Sequence, residues 1–153
     1  MAKYKNIYES WKKNPIQFWK NLSKDIDWNT KPSKILDDET TPFNRWFPEA
    51  TLNTSYNAID RHVIAGKGDQ DAIIYDSPIT NVKRKISYSE LQYQVSQFAG
   101  ALLKQGVQKG DRVIIYMPMI PEAIVSMLAC ARIGAVHSVV FGGFASNELA
   151  IRI

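Results

Sequence analysis

Residues 110–144 leave this chain few ways to fold. Gly110-Asp111 is a turn pair, Arg112–Met117 is a short apolar run rich in β-formers, and Pro118 closes it. Pro121 stands where a helix accepts proline, at its first position, and Glu122 beside it suits the positive end of the helix dipole. Ile124, Met127, Leu128 and Ala131 recur at helical spacing, and Gly134 stops the helix after Ile133. Val136–Phe141 is a second apolar run, so the pattern is strand, helix, strand. Both runs are nearly continuous in hydrophobicity, which predicts strands buried on both faces. A helix between two such strands implies a right-handed crossover and a parallel pair. Gly142-Gly143 then falls at the carboxyl end of the second strand, the rim where open α/β sheets bind ligands.

Upstream, Asn14-Pro15 reads as a helix cap and first helical residue, with Phe18, Trp19 and Leu22 on one apolar face. From Asp25 to Pro48 the periodicity dissolves into a proline-punctuated arm, which Ile35, Leu36, Phe43, Trp46 and Phe47 are expected to anchor on a larger surface. Asn53 can cap a helix carrying Tyr56, Ile59 and Val63 inward and ending near Gly66. Gly66-Lys67-Gly68 begins like a dinucleotide glycine pattern, but Asp71 occupies the third glycine's place and a strand follows, so it reads as a loop. Residues 72–75 and 84–88 read as strands of a hairpin turning around residues 77–81. Ser87 and Glu90 form a capping box for a helix with Leu91, Val95, Phe98 and Leu102 on one face and Gly106 at its end. After Phe144, Ser146 reads as another N-cap with Glu148 in the first turn. That helix is expected to be cut in its second turn at Ile153, so the sequence reads as a fragment.

Charge and cysteine usage narrow the function. Of the formal net charge of +4, residues 1–34 hold a net +5, from eight lysines against Glu9, Asp25 and Asp27. The basic excess therefore sits on one arm with Trp11, Phe18, Trp19 and Trp28. Aromatics at helical spacing point to packing rather than to nucleic acid. The single cysteine, Cys130, lies among Leu128, Ala129 and Ala131 and reads as a buried small hydrophobe. No apolar run of the secretory kind follows Met1, and the charge-free stretch 123–131 is far short of a membrane span. A reducing, cytoplasmic location is expected.

No phosphate-binding glycine-lysine loop is present and no acid–base pair is suggested. His62 on an amphipathic helix and His137 inside an expected buried strand read as structural. No third ligand is spaced near either, so no metal site is expected. Asp76, Asp111 and Glu122 stand at turn and cap positions. The one candidate site is Phe141-Gly142-Gly143-Phe144. It is either a tight strand-to-helix turn or a place where two residues without side chains let a flat ligand approach the backbone beside an aromatic face.

Three stretches carry a specific resemblance: Tyr116-Met117-Pro118-Met119-Ile120-Pro121-Glu122-Ala123, residues 128–135, and residues 137–145 with their Phe141-Gly142-Gly143 turn. They resemble the amino-terminal region of short-chain acyl-CoA synthetases, the acetyl- and propionyl-CoA synthetases of the adenylate-forming superfamily. Phe18-Trp19, Asp27-Trp28, Arg45-Trp46-Phe47, Leu52-Asn53 and Asp60-Arg61-His62 match the same family in order, so the likeness covers essentially the whole chain. Residues 42–47, 72–81 and Ala145-Ser146 look more like the propionyl-CoA branch.

The resemblance implies an α/β fold in which a helical and extended arm, residues 1–50, precedes the first part of a parallel β/α sheet, residues 51–153, belonging to an incomplete adenylate-forming domain. It implies a two-step ligase that uses ATP with Mg²⁺ and coenzyme A to activate a short-chain carboxylate, propionate favoured and acetate next. Phe141, Gly142 and Gly143 are the residues it places at the coenzyme A nucleotide; it assigns no catalytic residue and no metal ligand here. ATP-binding motifs and the catalytic lysine would follow Ile153. The remainder of the same chain is thus an implied partner, and residues 1–153 alone are expected to be inactive. The alternative classes are a non-catalytic β/α binding or interaction domain and, disfavoured by the missing glycine fingerprint, an oxidoreductase-type nucleotide fold.

Overall fold

The computed structural model describes residues 2–39, 41–143 and 146–152. The chain divides into two compact units, Met1–Leu52 and Asn53–Ile153.

The first unit opens with α1 (Ala2–Lys13) and α2 (Pro15–Leu22). Asn14 separates them as the cap expected, its Oδ1 accepting from the Gln17 N–H at 3.0 Å, with Pro15 supplying the fixed φ of a first helical position. The arm that follows closes on itself through β1 (Leu36–Asp37) and β2 (Arg45–Trp46), an antiparallel pair with Leu36 opposite Trp46. A second tie, between Thr30 and Thr51, holds its ends: each donates its N–H to the other's carbonyl at 3.1 Å. The aromatics meet along this loop, Trp19 edge-on to Trp46 with ring centres 5.7 Å apart and Trp28 tilted against Phe47 at 5.4 Å. Of the anticipated anchors, Ile35, Leu36 and Phe47 are half-buried, whereas Phe43 is 80% and Trp46 48% exposed. No described hydrophobic residue of this unit is buried. Two short helices and a two-residue ladder have too little surface to enclose one.

The core lies in the second unit. Asn53 Oδ1 accepts from the Tyr56 N–H at 3.0 Å and starts a helix over residues 54–67, much of it π-helical. Ile59 is fully buried and Val63 half-buried, but Tyr56 faces solvent, contrary to expectation. The i→i+5 bonding widens the turn, so a residue three positions before Ile59 no longer shares its face. Gly66, at φ +76°, ends the helix. Gly68 is a point of close approach: a side chain there would run into the Ser89 hydroxyl.

β3 (Asp71–Ser77) and β4 (Val82–Ser87) form the antiparallel hairpin predicted for this stretch. α3 (Tyr88–Lys104) starts from the Ser87 cap, whose hydroxyl accepts from the Glu90 N–H at 3.2 Å. Leu91, Val95 and Ala99 are its buried residues, with Leu102 half-buried; Phe98, expected inward, is left at the surface because Ala99 takes the inner row. That row meets Val125 and Ala129 of α4 (Pro121–Ile133), and Ile59 and Ile86 complete the cluster. α4 is delimited as read, by Pro121 at its start and by Gly134 in the left-handed region at its end.

β5 (Arg112–Met117) and β6 (Val136–Phe141) pair in parallel, from Arg112 opposite Val136 to Met117 opposite Phe141. The fold is thus the expected α/β class. The expectation of burial on both faces fails: only Ile115 and Val140 are buried among the described side chains, while Val136 and Val139 are 55% and 47% exposed. Among the described residues β5 and β6 pair only with each other, so no further strand shields them. His137 is exposed for the same reason, not held inside a buried strand. The last helix, α5 (Ser146–Ala150), has Ser146 as its first residue and not as its cap; Phe144, Ala145 and Ile153 lie outside the described residues.

Candidate functional site at the carboxyl rim of the parallel strands

Because β5 and β6 run in parallel and in register, they end together, and the two segments that leave them form one rim. Pro118 lacks an N–H and cannot extend the ladder. Its carbonyl accepts from the Ile120 N–H at 2.9 Å, and Ile120, in extended backbone, accepts from the Ala123 N–H at 3.0 Å as α4 begins. Met119, between them, is 74% exposed.

On the other strand, Gly142 and Gly143 follow Phe141 as exposed turn residues. A Cβ built on Gly142 would lie 3.2 Å from the Pro118 nitrogen and 3.3 Å from the Met117 carbonyl carbon. Gly142 is not in the left-handed region, so the demand for glycine comes from close approach and not from φ. The two rim segments are therefore pressed backbone to backbone, and their outer side presents main-chain atoms unobstructed by a side chain at position 142. The Phe141 side chain and Phe144 lie outside what is described.

Charge at the rim is modest. Glu122, in the first turn of α4, is paired with Arg84 of β4 at 3.5 Å, a long contact between half-exposed groups and worth little by itself. The structure keeps the other residues considered from sequence apart. Asp76 pairs with Lys83 at 2.8 Å, and Asp111 Oδ2 accepts from the Gln108 N–H at 2.8 Å. His62, half-buried, lies against Tyr88 with ring centres 5.1 Å apart. Cys130 is fully buried, and burial pushes its thiol pKa up, which suits a packing residue and not a nucleophile. Among the described residues no three His, Cys, Asp or Glu side chains are grouped to hold a metal ion.

One constellation went unforeseen. Arg132 Nη2 of α4 donates to Asp60 Oδ2 at 2.7 Å, Gln92 Nε2 of α3 donates to Asp60 Oδ1 at 2.8 Å, and Asn53 Nδ2 donates to the Arg132 carbonyl at 2.9 Å. Both carboxylate oxygens are taken up, so the group is a tie between three helices and not a reactive acid. Its sequence signal is faint: Arg132 is the one charged residue of α4 beyond its first turn.

With this geometry in place, the family is plain. Residues 60–153 match the AMP-binding enzyme family and residues 4–58 match the acetyl-coenzyme A synthetase N-terminus, so the chain belongs to the AMP-binding enzymes. It is 52% identical to the acyl-CoA synthetase short-chain family member 3, mitochondrial, of Homo sapiens, over 99% of this chain and 22% of that protein. It is 51% identical to the acetyl-coenzyme A synthetase of Streptomyces coelicolor, over 95% of this chain and 22% of that one. The acetoacetyl-CoA synthetase structure from Streptomyces lividans superposes with a TM-score of 0.80 at 32% identity, covering 92% of this chain and 22% of that one. The chain thus spans about a fifth of the length of the curated relatives it matches.

Proposed function

We propose that this chain forms the amino-terminal part of an AMP-forming short-chain acyl-CoA ligase, with propionate its preferred carboxylate and acetate next. The observation that carries the reading is the unbroken likeness of nearly the whole chain to short-chain acyl-CoA synthetases, at 52% identity in the human relative. The preference for propionate rests on residues 42–47 and 72–81, which resemble the propionyl-CoA branch.

In the first step of such a reaction, a carboxylate oxygen attacks the α-phosphorus of ATP and pyrophosphate leaves, giving an acyl-adenylate. In the second, the coenzyme A thiol loses its proton, its sulfur attacks the acyl carbon, and AMP leaves with the electron pair of the anhydride bond. We assign no residue of this chain to the first step, to ATP or to Mg²⁺. Its contribution is the rim: the exposed main chain of Gly142 and Gly143, after Phe141, lets the coenzyme A nucleotide lie flat against the strand ends.

The test is made on the full-length protein. Exchange of pyrophosphate into ATP should depend on added carboxylate, with kcat/KM higher for propionate than for acetate. If neither propionate nor acetate supports exchange, a non-catalytic β/α interaction domain is favoured. Gly142→Val should raise the KM for coenzyme A and leave that exchange nearly intact, a loss of about 1–3 kcal/mol in kcat/KM for coenzyme A. Because the new Cβ crowds Pro118, the melting temperature is measured alongside. If both half-reactions fall together, or only stability falls, the turn is structural and the coenzyme A assignment fails.

A further inference from the structure

The first unit contains a cleft of about 480 Å³ lined by Lys20, Lys24 and Lys31 together with Ile26, Trp28 and Ile35. Its walls follow from local chemistry. α2 runs into a 3₁₀ turn, Ser23–Asp25, in which the Ser23 hydroxyl donates to the Lys20 carbonyl at 2.9 Å, so Lys20 and Lys24 stand one turn apart. Trp28 Nε1 donates to the Ser23 carbonyl at 2.7 Å while its ring packs on Phe47, so the aromatic wall is held from two sides.

The four lysines between residues 20 and 34 divide into two kinds. Lys34 is neutralised by Asp37 at 2.8 Å and Glu39 at 3.0 Å. Lys20, Lys24 and Lys31 form no ion pair with a described carboxylate, and neither Asp25 nor Asp27 lines the cleft they surround. Three ammonium groups around one cleft concentrate positive potential over an apolar surface. An entering anion relieves that repulsion, and an apolar body attached to it covers Ile26, Trp28 and Ile35. The volume is that of a site for a small organic molecule.

We propose that this cleft binds a small organic dianion with an apolar or aromatic body, an aryl phosphate being the simplest representative. It is a second site, built from residues 16–35 and independent of the ligase reading, since it uses no residue of the glycine turn.

1-Naphthyl phosphate titrated into the full-length protein at low ionic strength should bind saturably by calorimetry and quench tryptophan emission. Trp28→Phe keeps an aromatic wall, so the quench should shrink while calorimetric binding persists. Lys20→Gln, Lys24→Gln and Lys31→Gln should each weaken binding roughly three- to fivefold, and added salt should weaken it further. The triple variant should lose binding with its far-ultraviolet circular dichroism unchanged, because all three side chains are exposed. 1-Naphthol and inorganic phosphate, each carrying one half of the ligand, should compete poorly. The assignment is overturned by any of three results: no calorimetric binding, a triple variant that binds as the parent does, or inorganic phosphate competing as well as the ester.

Discussion

Arg132 and Asp60, 72 positions apart in sequence, meet at 2.7 Å between α4 and the 54–67 helix. The pair is mostly out of water, with side chains 25% and 14% exposed; Gln92 donates to the second Asp60 oxygen and Asn53 to the Arg132 carbonyl, while the buried Arg132 Nε has no hydrogen-bond partner among the described residues. Removing the guanidinium leaves a half-buried carboxylate with Gln92 alone. Arg132→Leu should therefore cost about 2–3 kcal/mol in urea denaturation, somewhat below a fully buried pair. Adding Asp60→Leu to it should cost less than the sum of the single changes, because the stranded charge is then gone.

Ser87 ends β4 and caps α3, so one hydroxyl serves the junction of hairpin and helix. Ser87→Ala should lower stability by about 1 kcal/mol, and Ser87→Asp, which keeps an acceptor, should recover most of it. The same measurement on both variants separates the cap from any effect of side-chain volume.

Two glycines should respond with opposite signs to the same substitution. Gly134 has φ +76°, and a Cβ there would stand 3.0 Å from Lys109 Cγ, so Gly134→Ala should destabilise by about 1–2 kcal/mol. Gly100 lies within α3 with nothing within 4 Å of an added Cβ, so Gly100→Ala should stabilise by about 0.5–1 kcal/mol. Thermal melts of the two variants side by side decide the matter.

Lys34 holds the Asp37 carboxyl below its usual range, chiefly through their hydrogen bond, and Asp37 and Glu39 in turn push the Lys34 pKa up. For a depressed carboxyl, the linked stability is present above the unfolded pKa and is lost as pH falls through the lowered folded value. Carboxyl carbon resonances followed by pH titration should show Asp37 titrating below the usual aspartate range. Lys34→Met should bring it back toward that range; an unmoved Asp37 would mean the ion pair does not persist in solution.

Cys130 is sealed in α4, and its raised thiol pKa comes from desolvation. A raised folded value favours the protonated native state, so this contribution is full below the unfolded thiol pKa and is lost as pH rises toward the folded one. Labelling by a disulfide reagent at mildly alkaline pH should proceed only through opening. It should be slower than in denaturant by at least about a hundredfold, as an opening cost of about 3 kcal/mol gives.

What the sequence determined by itself is local or periodic. Asn14, Asn53 and Ser87 act on backbone groups three residues away, Pro121 fixes its own φ and Gly134 permits a left-handed one, and the two apolar runs flanking α4 leave no short antiparallel connection. These choices hold whatever the surroundings. The tertiary structure decided what depends on which surfaces meet. Val136, Val139 and His137 are exposed because, among the described residues, β5 and β6 pair only with each other. Ala99 replaced Phe98 in the core because α4 offered it a matching row. Asp60 found Arg132, and Gly142 found Pro118, only once the chain between them had folded. Contacts of that kind depend on the closing of long loops, and loop closure leaves no periodic trace in sequence.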